Sequence, residues 1–338
     1  MPDNRSLQVN GMLNWFKHAQ LYRLLDDDIL PLADLQQHLQ QFAYRRLGDN
    51  EARRLSFGAP AGRGYQTLAH EVQGHRLMTV IRQERLLPTA VIKEELDDRV
   101  ADTERQQGRP LGRREKQALK EQITEQLLPQ AFVRTRRIEL SVDTKRRLIV
   151  INAASAKLAE EVLDLMREAL GSLKVVPISA KTPANRTMTN WLKDETTRPS
   201  WMLVGEQAVL KARGDDSVVT ARQTDLSGDE VRNMLDCSRS VSQLALTIEG
   251  VMSLVLNEDL TLKGIRFSDE VLEESHATED DGDAILRLET DFAIMAEALT
   301  QGVEKLMQGL GGEAEPVDEQ FSHDNSLIDC EAVIAACA

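Results

Sequence analysis

Apolar residues return every three or four positions through Leu288, Phe292, Met295, Leu299, Val303, Leu306 and Leu310, which predicts one long helix stopped at Gly309-Leu-Gly-Gly. The same period follows Pro31 through Leu32, Leu35, Leu39 and Phe42. From 241 to 267 the rhythm changes to alternation: Leu244, Leu246, Ile248, then Val251, Leu254, Leu256, then Leu262, Ile265, Phe267. Gly250 and Asn257-Glu258-Asp259 separate these runs, so three strands joined by turns are expected. Arg137–Val142 and Arg147–Asn152 form a predicted hairpin over Asp143-Thr144. Ser155 then caps a helix, Lys157–Leu170, closed by Gly171 and followed by a strand, Lys174–Ile178, so 147–178 resembles a βαβ unit.

Other stretches are less regular. Leu13–Leu24 is expected as a first strand broken by Asp26–Asp28, and 68–82 as another strand. A helical region starts at Thr89, with Val91, Ile92, Leu96 and Val100 as its expected buried stripe. Gly108-Arg109-Pro110 interrupts it before it resumes to Leu128. Leu119 and Ile123 lie beside its basic residues, so one shoulder of the resumed helix is expected to rest on the body. Residues 181–235 read as loops anchored by Trp191 and Trp201, with a strand at Val218–Arg222 and a helix entry after Asp225. The fold class is α+β: an elongated, multi-lobed protomer with antiparallel or mixed sheets and long helices. Its expected divisions are a leader (1–12), an N-terminal α+β region (13–88), a central basic helix with the βαβ region (89–180), a C-terminal α+β region (181–312) and an acidic tail (313–338).

Charge changes this picture. The 338-residue chain carries −14 overall, but 19 acidic residues against only Arg287 and Lys305 fall between Ser268 and Ala338. The rest is slightly positive, and Arg105–Arg147 holds 12 basic and five acidic residues. Within it, Arg113, Lys116 and Lys120 fall within about 60° on a helix, and Phe132 precedes Arg134, Arg136 and Arg137. Such a pattern suits a phosphate backbone, although charge alone more often marks a solvated helix face and an edge strand. Phe132 suits equally a stacking group, a core residue or a subunit contact.

Little else carries chemistry. His70-Glu-Val-Gln-Gly-His75 has one residue too many for the zinc-protease spacing, so both histidines are structural or surface groups. The glycines and prolines of 56–64 lack a phosphate-loop ending. His323, Cys330 and Cys337 lack paired metal-ligand spacing, Ser155 and Lys157 suit a cap and a surface lysine, and Glu279–Asp283 read as solvated. No catalytic residue, metal or cofactor is expected, and no run of about 18 apolar residues suggests a membrane span. Three cysteines and the lack of an apolar leader segment make the expected setting cytoplasmic.

Several stretches together resemble the RdgC family of bacterial recombination-associated proteins over nearly all of 13–315. They are Trp15-Phe-Lys with Tyr22-Arg-Leu, Leu86-Leu-Pro-Thr-Ala-Val-Ile-Lys93, Leu127-Leu-Pro-Gln-Ala-Phe132, Ala154-Ser-Ala-Lys-Leu-Ala-Glu160, Leu170-Gly-Ser-Leu-Lys-Val-Val-Pro177 and Gly309-Leu-Gly-Gly-Glu-Ala314. The resemblance implies a non-enzymatic, nucleoid-associated protein that binds double-stranded DNA without strong sequence preference. It further implies a homodimer closed into a ring around the duplex, restraining RecA by competition for DNA. Carried over by position, Phe132 matches an aromatic implicated in DNA binding and ring integrity, and Arg113, Lys116 and Lys120 match basic helix positions. Arg134 and Arg136 extend the same basic run. Arg222 and Gln223 match a basic-polar pair, with one basic group fewer than the family's Lys-Lys-Gln-Asp-Leu. The leader and tail depart from the family pattern. The alternative expectation is an acidic adaptor acting through the closing helix and tail.

Overall fold

The computed structural model describes residues 13–25, 30–212, 217–277 and 283–315. The expected break at Asp26–Asp28, the acidic cluster Glu279–Asp281, the leader, and the tail with His323, Cys330 and Cys337 lie outside the described residues.

Alternating burial builds one continuous antiparallel path of strands. In chain order these are β1 (His18–Leu24), β2 (Arg53–Gly58), β3 (Ala69–Val72), β4 (His75–Leu86), β5 (Phe132–Asp143), β6 (Leu148–Ile151) and β7 (Val175–Pro177). The second half contributes β8 (Met202–Ala212), β9 (Val218–Arg222), β10 (Arg239–Ile248), β11 (Met252–Asn257) and β12 (Leu262–Phe267). The order across the sheet is β2-β4-β5-β6-β1-β12-β11-β10-β8-β9, with β3 beside β4 and β7 beside β1. Strand β1 joins the halves: β6 takes one of its edges, and β12 and β7 share the other. Because β6 and β7 both run antiparallel to β1, the expected βαβ unit forms with β1 inserted between its strands.

Helices cover the sheet unevenly. On one face, α1 (Leu32–Gln40) and α4 (Ala156–Leu170) pack on Phe57, Met78, Ile138, Leu140 and Ile149. On the other face, α5 (Ala184–Lys193), α6 (Asp229–Asp236) and the long α8 (Ala284–Gly309) enclose Trp191, Leu244, Leu246, Leu256 and Leu262. All seven residues of the predicted α8 stripe are buried. Phe292 has no exposed surface, so Phe292→Ala is expected to destabilise the fold by about 3–5 kcal/mol, read as a lowered denaturant midpoint with unchanged slope. An unchanged midpoint would mean that this core is already loose.

Several local expectations need correction. Strand β1 begins at His18, because Leu13 and Phe16 enter the core from an irregular segment and Trp15 packs edge-on against Phe267 at 4.8 Å between ring centroids. Residues 68–82 are not one strand but the β3–β4 hairpin, turned at Gln73-Gly74 where both residues have positive φ. The hairpin brings His70 and His75 to α8: His70 Nδ1 lies 2.9 Å from Glu289, and His75 lies between Asp143 and Glu297 at 3.9 and 3.8 Å. Both imidazoles are buried, so of the two expectations, structural or surface, the surface one does not hold. The stretch 181–235 is more ordered than expected, holding α5 and β8 as well as β9 and α6. A further helix, α7 (Asp269–Ala277), precedes α8.

Candidate nucleic-acid interface

Strands β4 and β5 stay paired over twelve residues, from His75↔Asp143 to Leu86↔Phe132. The outer half of β5 is exposed from Phe132 to Arg136, whereas β4 stays flanked by β2 as far as Arg53↔Glu84. Two helices are inserted between them, α2 (Thr89–Gln107) and α3 (Arg113–Leu127), so residues 86–132 form the end of a finger. Gly108, with φ of +65°, takes the left-handed turn that ends α2, and Arg109-Pro110 redirects the chain. The two helices pack on each other around Ile92, Leu111 and Ile123. The expected stripe on α2 is therefore mostly wrong: only Ile92 is buried, Leu96 and Val100 are half-buried, and Val91 is exposed. The shoulder of α3 likewise rests on α2, through Ile123.

Two arginines of β4 and β5 are structural. Arg85 donates to the carbonyls of Pro129 (3.0 Å), Ala131 (3.1 Å) and Gly48 (3.1 Å), which locks the strand ends to the neighbouring loop. Arg137 donates to the carbonyl of Pro60 at 2.9 Å.

The remaining cations divide into paired and unpaired groups. Lys116 lies 3.3 Å from Glu104 of α2, and Arg109 is held by Glu115 at 2.6 Å. Glu115 also accepts from the Gly112 N–H at 2.8 Å, and these contacts, Arg109 first, hold its carboxyl down at about 2. Arg134 is gripped by Glu84 across the strands, and Glu84 also binds Arg82. Burial alone would raise the Glu84 pKa, but hydrogen bonds and charge from Arg134 and Arg82 bring it below the ordinary value. Arg82 and Arg53 share Glu161 of α4. Lys93, Arg113, Arg114, Lys120 and Arg136 are exposed, and no carboxylate lies in ion-pair range of them among the described residues. Arg113, Lys116 and Lys120 share one side of α3, so Lys116 contributes less free charge than its position suggests.

Phe132 stands at the end of the β4–β5 ribbon, where α3 returns to the sheet, and is 84% exposed. It is therefore not a core residue of its own chain. Register places Leu86 directly opposite it on the same side of the ribbon, with Arg134 and Arg136 following Phe132 along that side at every second position. Leu86, Val91 and Val133 are exposed as well, so the end of the finger is apolar and its flank basic. Arg222 and Gln223 lie far along the sheet, at the end of edge strand β9, both exposed. The strand order separates them from the finger by the full width of the second half-sheet.

Comparison with known proteins agrees with the motif pattern. Residues 14–313 match the family described as "Putative exonuclease, RdgC". The "Recombination-associated protein RdgC" of Aeromonas hydrophila subsp. hydrophila is 35% identical over 303 residues, covering 90% of this chain and all of that relative. The proteins of the same name from Tolumonas auensis and Yersinia pestis are 34% and 33% identical, covering 88% and 89% of this chain and 99% of each relative. Among the described residues no group of three or more His, Cys, Asp or Glu side chains is placed to hold a metal ion, and no helix is long and apolar enough to cross a membrane. With a match that runs from the irregular segment before β1 to the end of α8, and relatives covered over their full length, the chain belongs to the RdgC family of recombination-associated proteins.

Proposed function

We propose that the protein is a non-enzymatic binder of double-stranded DNA without sequence preference, closing as a homodimer into a ring around the duplex. Occupying the nucleoid's DNA in this way restrains RecA by competition. The observation that carries this is the unpaired series Arg113, Lys120 and Arg136, joined by the equally unpaired Arg114 and Lys93, on a finger whose remaining cations are held by carboxylates or carbonyls. Exposed cations with no carboxylate partner release condensed counterions from DNA without first breaking an ion pair. Helix α2 is net acidic, with Glu94, Glu95, Asp97, Asp98, Asp102 and Glu104 against Lys93, Arg99 and Arg105, so a polyanion is directed to α3 and β5. Phe132 and Leu86 at the finger's end supply the apolar contact to a second copy.

Contacts by Arg113, Lys120 and Arg136 in each of two protomers imply a slope of about −5 in log affinity against log salt, and steeper if Arg114 and Lys93 also reach phosphates. The test is a salt series on linear and covalently closed duplex with magnesium present. Steep salt dependence, slower dissociation from closed circles and DNA recovered at full length are expected. A flat slope would sink the electrostatic reading; indifference to topology would replace the ring by an open groove.

A further inference from the structure

Antiparallel sheets bury one face and leave the other in water unless something covers it. In the β12-β11-β10-β8-β9 half-sheet, Leu244, Leu246, Ile248, Leu254, Leu256 and Leu262 enter the α5–α6–α8 core. The opposite face is also partly apolar. Thr247 lies between Leu203 and Ser253, Ala245 is opposite Val255, and Val209 and Lys211 pair with Thr220 and Val218 of β9. Leu203 is 47% exposed and Val218 52%. Neither they nor Val209, Ala245 and Val255 belong to an apolar core, so among the described residues neither core extends to this side.

Positive charge gathers at the β12 side of this face. Lys263 lies opposite both Val255 and His18, and a bulge at Gly264, with φ of +60°, puts Arg266 on the same side, opposite Ser253. Neither cation has an ion-pair partner among the described residues. Burial, then Lys263 and Lys17, hold the His18 imidazole below its ordinary pKa. The described chain ends close by. Strand β1 gives one edge to both β12 and β7. Just after β7, Ile178 donates its N–H to Leu21 at 3.0 Å, and Ala314 donates to the Ser179 carbonyl at 2.9 Å. Arg23 of β1 donates to Glu313 at 2.9 Å. Leu21 is three residues from His18, so the chain leaves the body about 10 Å along β1 from the cations.

Residues 316–338 lie outside the described residues and beyond the family match, which ends at 313. They carry Asp318, Glu319, Asp324, Asp329 and Glu331 and no Lys or Arg, interspersed with Phe321, Leu327, Ile328, Val333 and Ile334. That composition complements the sheet face in charge and in apolar content. A chain of this length reaches at most about 75–80 Å, and the face is four strand spacings, about 19 Å, across, so length does not limit the contact. We propose that 316–338 docks on this face of its own protomer, with its carboxylates on Lys263 and Arg266 and its apolar side chains on Leu203, Val218 and Val255. A duplex approaching the protomer must then displace this segment or meet its negative charge, which raises the DNA concentration needed for binding at low salt. The docking stands on this surface alone; its effect on binding rests on the DNA-binding reading.

The test uses the full chain, as wild type and with Asp318→Asn, Glu319→Gln, Asp324→Asn, Asp329→Asn and Glu331→Gln together. A water-soluble carbodiimide, which joins an amine to a carboxylate in contact with it, is applied without DNA to a mixture of ordinary and nitrogen-15-labelled protein, and coupled peptides are read by mass spectrometry. Coupling of Lys263 to carboxylates of 316–338 within one copy is expected, lost in about 1 M salt and absent from Lys263→Arg. Affinity for a 30-base-pair duplex is then measured by fluorescence anisotropy. The amide variant is expected to bind on the order of tenfold tighter than wild type at about 50 mM salt, and equally at about 0.5 M. Lys263→Arg should keep the wild-type affinity. Coupling confined to other lysines such as Lys116 and Lys120, coupling to no lysine, or coupling between labelled and unlabelled copies would overturn the proposal. So would coupling at Lys263 with equal affinities in the two proteins, because the segment would then dock without competing. If neither protein binds duplex, the DNA-binding reading falls, and the coupling at Lys263 still decides whether the segment docks.

Discussion

Reversing Arg113, Lys120 and Arg136 to glutamate is expected to weaken duplex binding on the order of 10³-fold at 0.15 M salt, with the folded structure unchanged. The size follows from counting. Each phosphate neutralised contributes about 0.9 to the salt slope, so removing three contacts from each protomer removes most of what the finger supplies, and the new carboxylates add repulsion. Folding is spared because all three side chains are exposed and unpaired. The contrast is Arg134→Ala, expected to cost only a few-fold, since Glu84 already spends that charge. Anisotropy titrations with matched circular dichroism spectra check both. Equal losses in the two variants would show that the Glu84–Arg134 pair opens on DNA and that the distinction drawn from the free chain does not survive binding.

The division between paired and unpaired cations is where sequence reasoning ran out. A helical wheel places Arg113, Lys116 and Lys120 together and treats them alike. What separates them is Glu104, which reaches Lys116 only because Gly108 turns α3 back along α2. Arg134 and Glu84 are 50 residues apart and meet through β4–β5 register, which no local pattern encodes. The same physics explains the fold. The α8 stripe and the β10–β12 meander were legible because burial on one side writes a clean period into the chain. Strand β8 was not, because the irregularity against β10 around Gly205–Gln207 breaks its alternation. The α2 stripe misled for the opposite reason: its spacing is helical, but its partner is one short helix rather than a core.

Position also limits what the family resemblance conveys. It draws attention to Phe132 without saying whether that ring is covered by its own chain. The structure supplies the exposure, and the register supplies Leu86 beside it. Likewise Arg222 enters as half of a basic-polar pair, and only the ladder shows that it ends an edge strand opposite Gln207.

If the protein closes as the proposed homodimer, Phe132→Ala is expected to weaken that dimer on the order of 10³-fold while leaving the thermal midpoint of the protomer nearly unchanged. An isologous contact between two finger ends uses Phe132 twice, and each exposed aromatic side chain that becomes covered contributes about 1.5–3 kcal/mol. Two copies together give roughly 3–6 kcal/mol, and every 1.4 kcal/mol is about tenfold. The protomer is indifferent because a side chain 84% exposed leaves no cavity when it is truncated. Leu86→Ala should act in the same direction and less strongly, since its side chain is smaller and already more covered. Sedimentation equilibrium gives the dimer constant, and dissociation from closed circular duplex gives its consequence. A ring that opens at the finger ends would release circles as fast as linear DNA. If the dimer constant holds in Phe132→Ala while DNA affinity falls, the ring stacks or wedges at the duplex, and closure lies elsewhere on the chain. If neither changes, the apolar end of the finger has no part in closure or in DNA contact.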